Sequence, residues 1–181
     1  MAEPLADPAE LAASLGVAAD DAKLLWALNA ASRRFRGAVR HPVSLVNGDT
    51  FTLDGHGREA VLLPAAPVLS VSSVTLDGTA LTAGTDYDWS ADGFLRSLSG
   101  CWRETLPCIG GVYDHGYADI PEDIQEVVID QARALYRIDP GVQTKTVGGQ
   151  SVTFGVQAAI GVTAQWTDAV ERHQLNRGDR P

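Results

Sequence analysis

Two long segments of the sequence repeat apolar residues at the three-to-four-residue spacing of an amphipathic α-helix. The first covers residues 20–36, opens with two acidic residues where the helix dipole favours negative charge, and meets Gly37 as its expected stop. The second covers residues 121–137 and starts with Pro121, a residue well suited to the first helical position. We therefore predict two main helices whose apolar faces pack against each other.

Two shorter helices are expected near the ends of the sequence. Asp7 is placed to cap a short helix within residues 4–16, with Pro8 at its first position. A last helix is expected over residues 162–175, with a modest apolar stripe that includes Trp166. Docking of Trp166 on this domain and docking on another subunit are both open, since an indole ring serves as a core or an interface anchor.

Between the two main helices, residues 38–118 consist of short runs of β-forming residues separated by turn signals. A strand over Ile109–Tyr113 is expected to close the sheet that these runs form. The expected hairpin turns are Asn47-Gly48, Asp54-Gly55, Asp77-Gly78, Ala83-Gly84 and Asp92-Gly93.

A separate hairpin is predicted over residues 143–155, with Gly148-Gly149 at its turn. Its apolar side chains are Val147, Val152 and Phe154. Such a hairpin buries little surface by itself. We expect a partner to order it, most simply a neighbouring copy of the chain in a symmetric oligomer.

Together these elements predict an α+β fold. It consists of a small bundle of two to four helices, a β-hairpin-rich insertion between the first and second main helices, and a protruding hairpin loop before the C-terminal helix. We expect an N-terminal extension with a short helix over residues 1–19, a main domain over residues 20–160, and a C-terminal helix with a tail over residues 161–181.

Composition supports a globular protein and argues against two kinds of partner. The chain of 181 residues and 19.2 kDa is 45% hydrophobic, which suffices for a sizeable core. Its 23 acidic and 14 basic residues give a net charge of −9, which disfavours a surface that grips nucleic-acid phosphates. No apolar run reaches the length of a membrane-spanning helix, and the N-terminus lacks a signal-peptide pattern. We expect a soluble protein made in the cytoplasm.

One stretch resembles half of a calcium-binding loop. Asp88, Ser90, Asp92 and Gly93 match its first positions, but Ser99 stands where the twelfth position needs a bidentate glutamate. The favoured interpretation is a hairpin turn at Asp92-Gly93.

The two cysteines, Cys101 and Cys108, raise the question of a thiol nucleophile with His115 and Asp114. No oxyanion arrangement or nucleophile elbow surrounds either cysteine, so burial as small apolar side chains or a local disulfide is favoured. The four histidines are scattered singly, without the spacing that places two imidazoles on one metal. We expect no catalytic residue, no metal and no cofactor.

Three cations, Arg33, Arg34 and Arg36, lie in the last turns of the first main helix. Cations there complement the helix dipole, which is the favoured interpretation. A contact with DNA or a protein partner is the alternative.

Several segments follow one another in a recognisable order. Residues 61–64 (VLLP) are followed by residues 67–89 (PVLSVSSVTLDGTALTAGTDYDW). Then come residues 115–117 (HGY), the helix start at residues 120–124 (IPEDI) and residues 147–155 (VGGQSVTFG). This order resembles the head-to-tail adaptor, or head-completion connector, proteins of long-tailed double-stranded DNA bacteriophages, especially those of actinobacterial hosts.

The resemblance implies a structural virion protein without catalytic activity. Its subunits would form a ring of about twelve copies beneath the portal, connecting the capsid to the tail and extending the DNA channel. The implied partners are the portal protein and a tail-side connector or tail terminator protein, while genomic DNA passes through the lumen without sequence-specific binding. The implied location is the neck of the virion, after synthesis in the host cytoplasm, with no membrane involved.

The resemblance also suggests two groups of contact residues. In such relatives the C-terminal segment reaches into the portal, and the candidates here are Trp166, Arg172, His173, Leu175, Arg177 and Arg180. The separate hairpin would pair with neighbouring subunits or face the lumen through Thr146, Val147, Gly148, Gly149, Gln150, Val152 and Phe154.

Two other functional classes are open. A carbohydrate-binding β-rich surface module is suggested by Tyr87, Trp89 and Trp102, which are expected to be exposed in the hairpin-rich middle of the chain. A small hydrolase that uses Cys108 ranks below it, since no recognisable base accompanies that thiol.

Overall fold

The computed structural model describes residues 3–137, 144–147, 150–153 and 163–175, with the backbone alone for 144–147 and 150–153. The predicted α+β fold is confirmed. The chain forms two compact units, one built from Met1–Arg40 and Ile120–Gln174 and one that includes His41–Asp119. None of the helices in the described ranges combines the length and the apolar character that a bilayer crossing requires.

The first unit contains the helices of the described residues, and each predicted helix is confirmed within it. Asp7 caps the first helix through a hydrogen bond from the Ala9 N–H at 2.8 Å, and Gly16 ends it in the left-handed conformation with φ of 69°. The helices of the described residues are α1 (Pro8–Leu15), α2 (Ala22–Val39), α3 (Glu122–Arg137) and α4 (Ala164–His173).

The expected stop of α2 at Gly37 is wrong. The helix continues to Val39, and Arg40 ends it in the left-handed conformation, its N–H donating to the Arg36 carbonyl at 2.8 Å. A glycine inside a helix costs only about 1 kcal/mol relative to alanine. The complete burial of Val39 outweighs that penalty, since burying a valine is worth about 1.5–3 kcal/mol.

The apolar faces of α2 and α3 pack against each other, as predicted. Leu24, Leu28 and Phe35 of α2 are fully buried, as are Ile124 and Val128 of α3. Branched and aromatic side chains at helical spacing therefore supply the core of the helical unit.

The second unit contains two antiparallel sheets. The four-stranded sheet has the order β1-β7-β3-β4 and the three-stranded sheet the order β2-β6-β5. The strands are β1 (Val46–Leu53), β2 (Ala60–Leu62), β3 (Val68–Leu76), β4 (Thr79–Leu81), β5 (Tyr87–Trp89), β6 (Phe94–Ser97) and β7 (Ile109–His115).

Strand β7 contains the predicted strand Ile109–Tyr113, but it lies in the interior of its sheet rather than closing it at an edge. It pairs with β1 on one side and β3 on the other. Gly111 allows this close approach, because a Cβ at that position would overlap with the Ser73 carbonyl oxygen and the Phe51 ring.

Of the five predicted glycine turns, two form hairpins, one lies inside a strand, and Asp54-Gly55 and Ala83-Gly84 connect strands of different sheets. Asp77-Gly78 joins β3 to β4 with positive φ at both residues, 49° and 79°, as a tight hairpin requires. Asp92-Gly93 joins β5 to β6 in the same role. Asn47-Gly48 instead lies inside β1, where the register with β7 shifts at a bulge.

Both sheets contribute to one apolar cluster in the β unit. For the members in strands, the alternation of inward and outward residues explains why one side of each strand is buried in this cluster. The buried members are Phe51, Leu63, Ala65, Val68, Val74, Tyr87, Leu95, Trp102, Cys108, Ile109 and Tyr113.

The separate hairpin is confirmed as β8 (Thr144–Val147) paired antiparallel with β9 (Gln150–Thr153). The register joins Val147 to Gln150, and the predicted turn residues Gly148 and Gly149 lie outside the described residues.

Candidate interaction surfaces

Helix α4 docks on its own helical unit through Trp166. Thr163 caps the helix, accepting from the Trp166 N–H at 3.1 Å, and Trp166 is only 8% exposed. Its ring meets Phe35 of α2 edge to face, with centroids 5.4 Å apart and planes at 85°. Of the two alternatives for this side chain, docking within the chain is the one that the structure shows.

The end of α4 is joined to the start of α3 by a group of charged side chains. The Asp123 carboxylate lies 2.7 Å from Arg172 and 2.9 Å from Nε2 of His173, and it accepts from the Ile124 N–H at 3.0 Å. Burial acts to raise the pKa of Asp123, but the hydrogen bond and charge of His173, with Arg172 and the Ile124 N–H, outweigh it and lower that pKa. Asp123 therefore stays ionised and holds α4 in place.

The proposed portal-contact residues thus have different positions. Trp166, Arg172 and His173 contact their own unit, and Leu175 is half-buried. Arg177 and Arg180 lie outside the described residues. Contact of this segment with a portal remains a prediction.

The proposed hairpin residues are described through their backbone. Thr146 pairs with Ser151, Val147 with Gln150, and Val152 with Lys145. Gly148, Gly149 and Phe154 lie outside the described residues. A role between subunits or in a lumen remains a prediction for this hairpin.

The expected aromatic surface of a carbohydrate-binding module is wrong. Tyr87 and Trp102 are each 2% exposed, and the Trp102 indole N–H donates to the Leu95 carbonyl at 3.3 Å. Trp89 lies opposite Leu95 in the sheet and packs against the same apolar cluster. Register explains the position of Trp89, because residues opposite one another in an antiparallel pair share a face and Leu95 is fully buried.

The structure also clarifies the candidate chemistry around the cysteines and the half calcium loop. Both cysteines are free; Cys101 is exposed, and Cys108 is buried with its sulfur 3.7 Å from the Arg103 carbonyl.

The stretch that resembles half of a calcium loop forms the predicted hairpin turn, since Ser90 and Phe94 are hydrogen-bonded across Asp92-Gly93. Within the described ranges, three or more metal-ligating side chains nowhere gather into a group that could hold an ion.

A buried polar cluster in the β unit escaped the sequence analysis. His115 is fully buried, and its Nε2 lies 3.0 Å from the Asp49 carboxylate of β1. Its ring stacks on Tyr113 at 4.6 Å, and burial together with the charge of Asp49 raises the pKa of Tyr113 to about 12. The bulge in β1 makes this pairing possible, and nothing local in the sequence signals it.

Next to this cluster, Asp114 secures the bulge itself. Its carboxylate accepts from the Gly48 N–H and the Ser70 hydroxyl, both at 2.6 Å, and these bonds lower the pKa of Asp114. Together with Asp49 and His115 this arrangement fixes β1 on β7. The chemistry that it supports is structural.

The exposed side of α2 is the second feature that the sequence analysis missed. Trp26 is 54% exposed, although a tryptophan is more often a buried anchor. Arg33 and Arg34 are exposed on the same helix. The sequence does carry a signal for this exposure: Trp26 lies opposite Phe35 on a helical projection and therefore faces away from the core.

Within the described ranges, these features are contact surfaces on an α+β scaffold. A family model for head completion proteins (HCP) matches residues 11–166. The chain belongs to the head completion protein family. The predicted resemblance to head-completion connectors is confirmed, and the structural role at the junction of head and tail follows from the family; the link to phages of actinobacterial hosts remains a prediction.

Solved structures with the same fold come from gene transfer agent (GTA) particles. One is a chain in the neck of the native GTA particle computed with C12 symmetry, at TM-score 0.58 and 23% identity, covering 100% of this chain and 96% of that chain. Another is from the neck of the empty particle computed with C6 symmetry, at TM-score 0.59 and 23% identity, covering 99% and 94%. A third, from the virion of the native particle, has TM-score 0.55 and 23% identity with the same coverage of 99% and 94%. No curated protein matches the sequence.

Proposed function

We propose that this protein forms a ring beneath the portal of a phage or phage-like particle, connects the capsid to the tail, and extends the DNA channel. The observation that carries this proposal is the head completion family match over residues 11–166. The fold shared with a neck chain computed with C12 symmetry supports a ring of twelve copies.

In this proposal the segments of the chain have distinct roles. Residues 1–19 form an extension, residues 20–160 the adaptor domain, and residues 161–181 the helix and tail that dock on the portal. The Asp123 contacts hold α4 at the start of α3 and so fix the position from which this segment would dock. The β8–β9 hairpin pairs with neighbouring copies or lines the lumen.

The partners follow from the same location. The portal lies on the capsid side, and a tail-side connector or tail terminator protein on the other. Genomic DNA passes through without sequence-specific binding, since a net charge of −9 per subunit repels phosphates. The protein is made in the host cytoplasm and resides in the virion neck. A carbohydrate-binding role is not proposed, because Tyr87 and Trp102 are buried.

Electron microscopy of the purified protein tests this proposal. We would image it by negative stain, alone at rising concentration and mixed with the portal protein encoded nearest to its gene. Rings, free or seated on the portal, are the expected result, and their symmetry follows directly from the images. Monomers at every concentration, with no portal complex, would contradict the proposal.

A further inference from the structure

One side of α2 presents an aromatic and cationic stripe to solvent. Trp26, Ala30, Arg33 and Gly37 share that side, since they follow one another at spacings of four, three and four residues. We call these four residues the Trp26 face. The buried side of the helix, which includes Phe35, points in the opposite direction.

The side chains of the Trp26 face suit a protein interface. Trp26 is 54% exposed, and tryptophan and arginine are the residue types that most often dominate binding energy. Ala30 is small, and a Cβ built at Gly37 would meet nothing within 4 Å. A partner can therefore approach the helix closely around the indole ring.

The charge of α2 is opposite to that of the chain. Residues 22–39 contain no aspartate or glutamate, whereas the protein as a whole carries −9. Lys23 lies over the Tyr136 ring at 5.0 Å, and Arg36 donates to the Glu3 carbonyl at 2.7 Å. In the part of the chain that the structure describes, Arg33 and Arg34 form no ion pair or side-chain hydrogen bond, so their charges are available to an acidic partner.

The same helical unit carries a complementary surface on α3. Glu122 and Glu126 are exposed and lie one turn apart, and neither forms an ion pair within the described ranges. Their acidic neighbours differ, because Asp123 is bound by Arg172 and His173 and Asp130 by Arg133. We call Glu122 and Glu126 the acidic pair. Each copy thus has the Trp26 face on α2 and the acidic pair on α3.

We propose that the Trp26 face of one copy docks on the acidic pair of the next copy. The inference rests on the proposed ring, for which it names the contact between subunits. Two different surfaces that meet head to tail generate a closed ring when the rotation between copies closes. Copies that each carry −9 repel one another, so a local contact of opposite charge gives both attraction and register.

Single substitutions with a matched control test the contact. We expect Arg33→Glu and Trp26→Ala each to raise the concentration for half-maximal ring assembly at least tenfold, measured by light scattering with chromatography. Arg58→Glu is the control, since Arg58 is exposed in the β unit and the charge change is identical. Circular dichroism verifies folding. If Arg33→Glu does not fold, Trp26→Ala carries the test.

A mixing experiment tests the pairing itself. Arg33→Glu combined with Arg34→Glu reverses the charge on the exposed side of α2 that carries the Trp26 face, and Glu122→Lys combined with Glu126→Lys reverses the charge of the acidic pair. Each variant alone should fail to assemble. An equimolar mixture should assemble again with the two variants alternating, because every contact then joins either two natural or two reversed surfaces.

The outcomes separate this inference from the proposed function. Wild-type rings together with unchanged assembly of Arg33→Glu and Trp26→Ala would overturn the inference alone. Equal losses in Arg33→Glu and Arg58→Glu would show an effect of net charge and would also overturn it. Unchanged assembly with weaker retention of duplex DNA in Arg33→Glu would assign the face to nucleic acid instead. A wild type that forms no ring with or without portal would overturn both.

Discussion

At the scale of single residues, the structure depends on a few side chains whose role is set by what surrounds them. Asp123 is one, because it is bonded to two cations from α4 and to a backbone N–H of its own helix. Gly111 is another, because any side chain there would enter the space of β3 and Phe51. Each gives a prediction with a matched control on the same chain.

The Asp123 carboxylate should stabilise the fold in a pH-dependent way. Its pKa is lowered in the folded state, so its contribution is complete above the ordinary aspartate value of 3.8 and is lost as pH falls through the lowered value. Asp123→Asn should reduce the free energy of unfolding by about 1 kcal/mol at pH 7, and the difference from wild type should disappear in acid. Urea unfolding at a series of pH values from 7 downward measures this, with Asp168→Asn, at an exposed position of α4, as control. A difference between Asp123→Asn and wild type that does not shrink as the pH falls below 3.8 would contradict the assignment.

Two glycine-to-alanine substitutions should have opposite signs. Gly111→Ala forces a Cβ into the Ser73 carbonyl and the Phe51 ring and should destabilise the protein by about 3 kcal/mol. Gly37→Ala lies within α2 with open space around it and should stabilise by about 0.5–1 kcal/mol through reduced chain entropy. Urea midpoints of the two variants provide the comparison. Equal effects would show that strand spacing around Gly111 is not the constraint.

At the scale of elements, local signals and long-range contacts contribute differently. The caps Asp7 and Gly16 and the helical spacing of α3 are local, so their helices were predictable from the sequence. The place of β7 between β1 and β3 depends on which distant strands pair, and short β runs do not encode that choice. The positions of buried side chains and polar clusters depend on long-range pairing in the same way. Burial of Tyr87 follows from the register of the smaller sheet, and pairing of Asp49 with His115 follows from a bulge.

Helix α4 illustrates an element that depends on its docking. It has ten residues, below the length at which an isolated helix is stable in water, so its contact with α2 supports it. Trp166→Ala removes the edge-to-face contact with Phe35 and should release α4 while α2 and α3 stay folded. Hydrogen exchange should show at least tenfold faster exchange confined to α4 amides. Trp26→Ala is the control, since that indole lies on the solvent side of α2; equal exchange in both variants would contradict the prediction.

At the scale of the whole molecule, the distribution of charge is more informative than its sum. Five of the 14 basic residues lie within or directly after α2, at positions 23, 33, 34, 36 and 40. The remaining surface therefore carries an even larger acidic excess than −9. A ring that uses α2 between subunits would cover Arg33 and Arg34 and present acidic surface elsewhere, which suits a channel that DNA must pass without adhesion.

This view predicts how the assembled protein treats duplex DNA. At physiological salt the screening length is about 8 Å, so the acidic surface acts only on nearby phosphates, but it still opposes contact. We expect a dissociation constant above about 0.1 mM for a short labelled duplex, which is a lower affinity than non-specific DNA-binding proteins usually have. Fluorescence anisotropy in 0.15 M salt measures this for wild type and for Arg33→Glu.

Micromolar binding that falls steeply with salt would contradict a repulsive surface, and the loss of that binding in Arg33→Glu would locate the contact on the Trp26 face. Weak binding of both proteins, with assembly lost only in Arg33→Glu, is the result expected if α2 serves the neighbouring subunit.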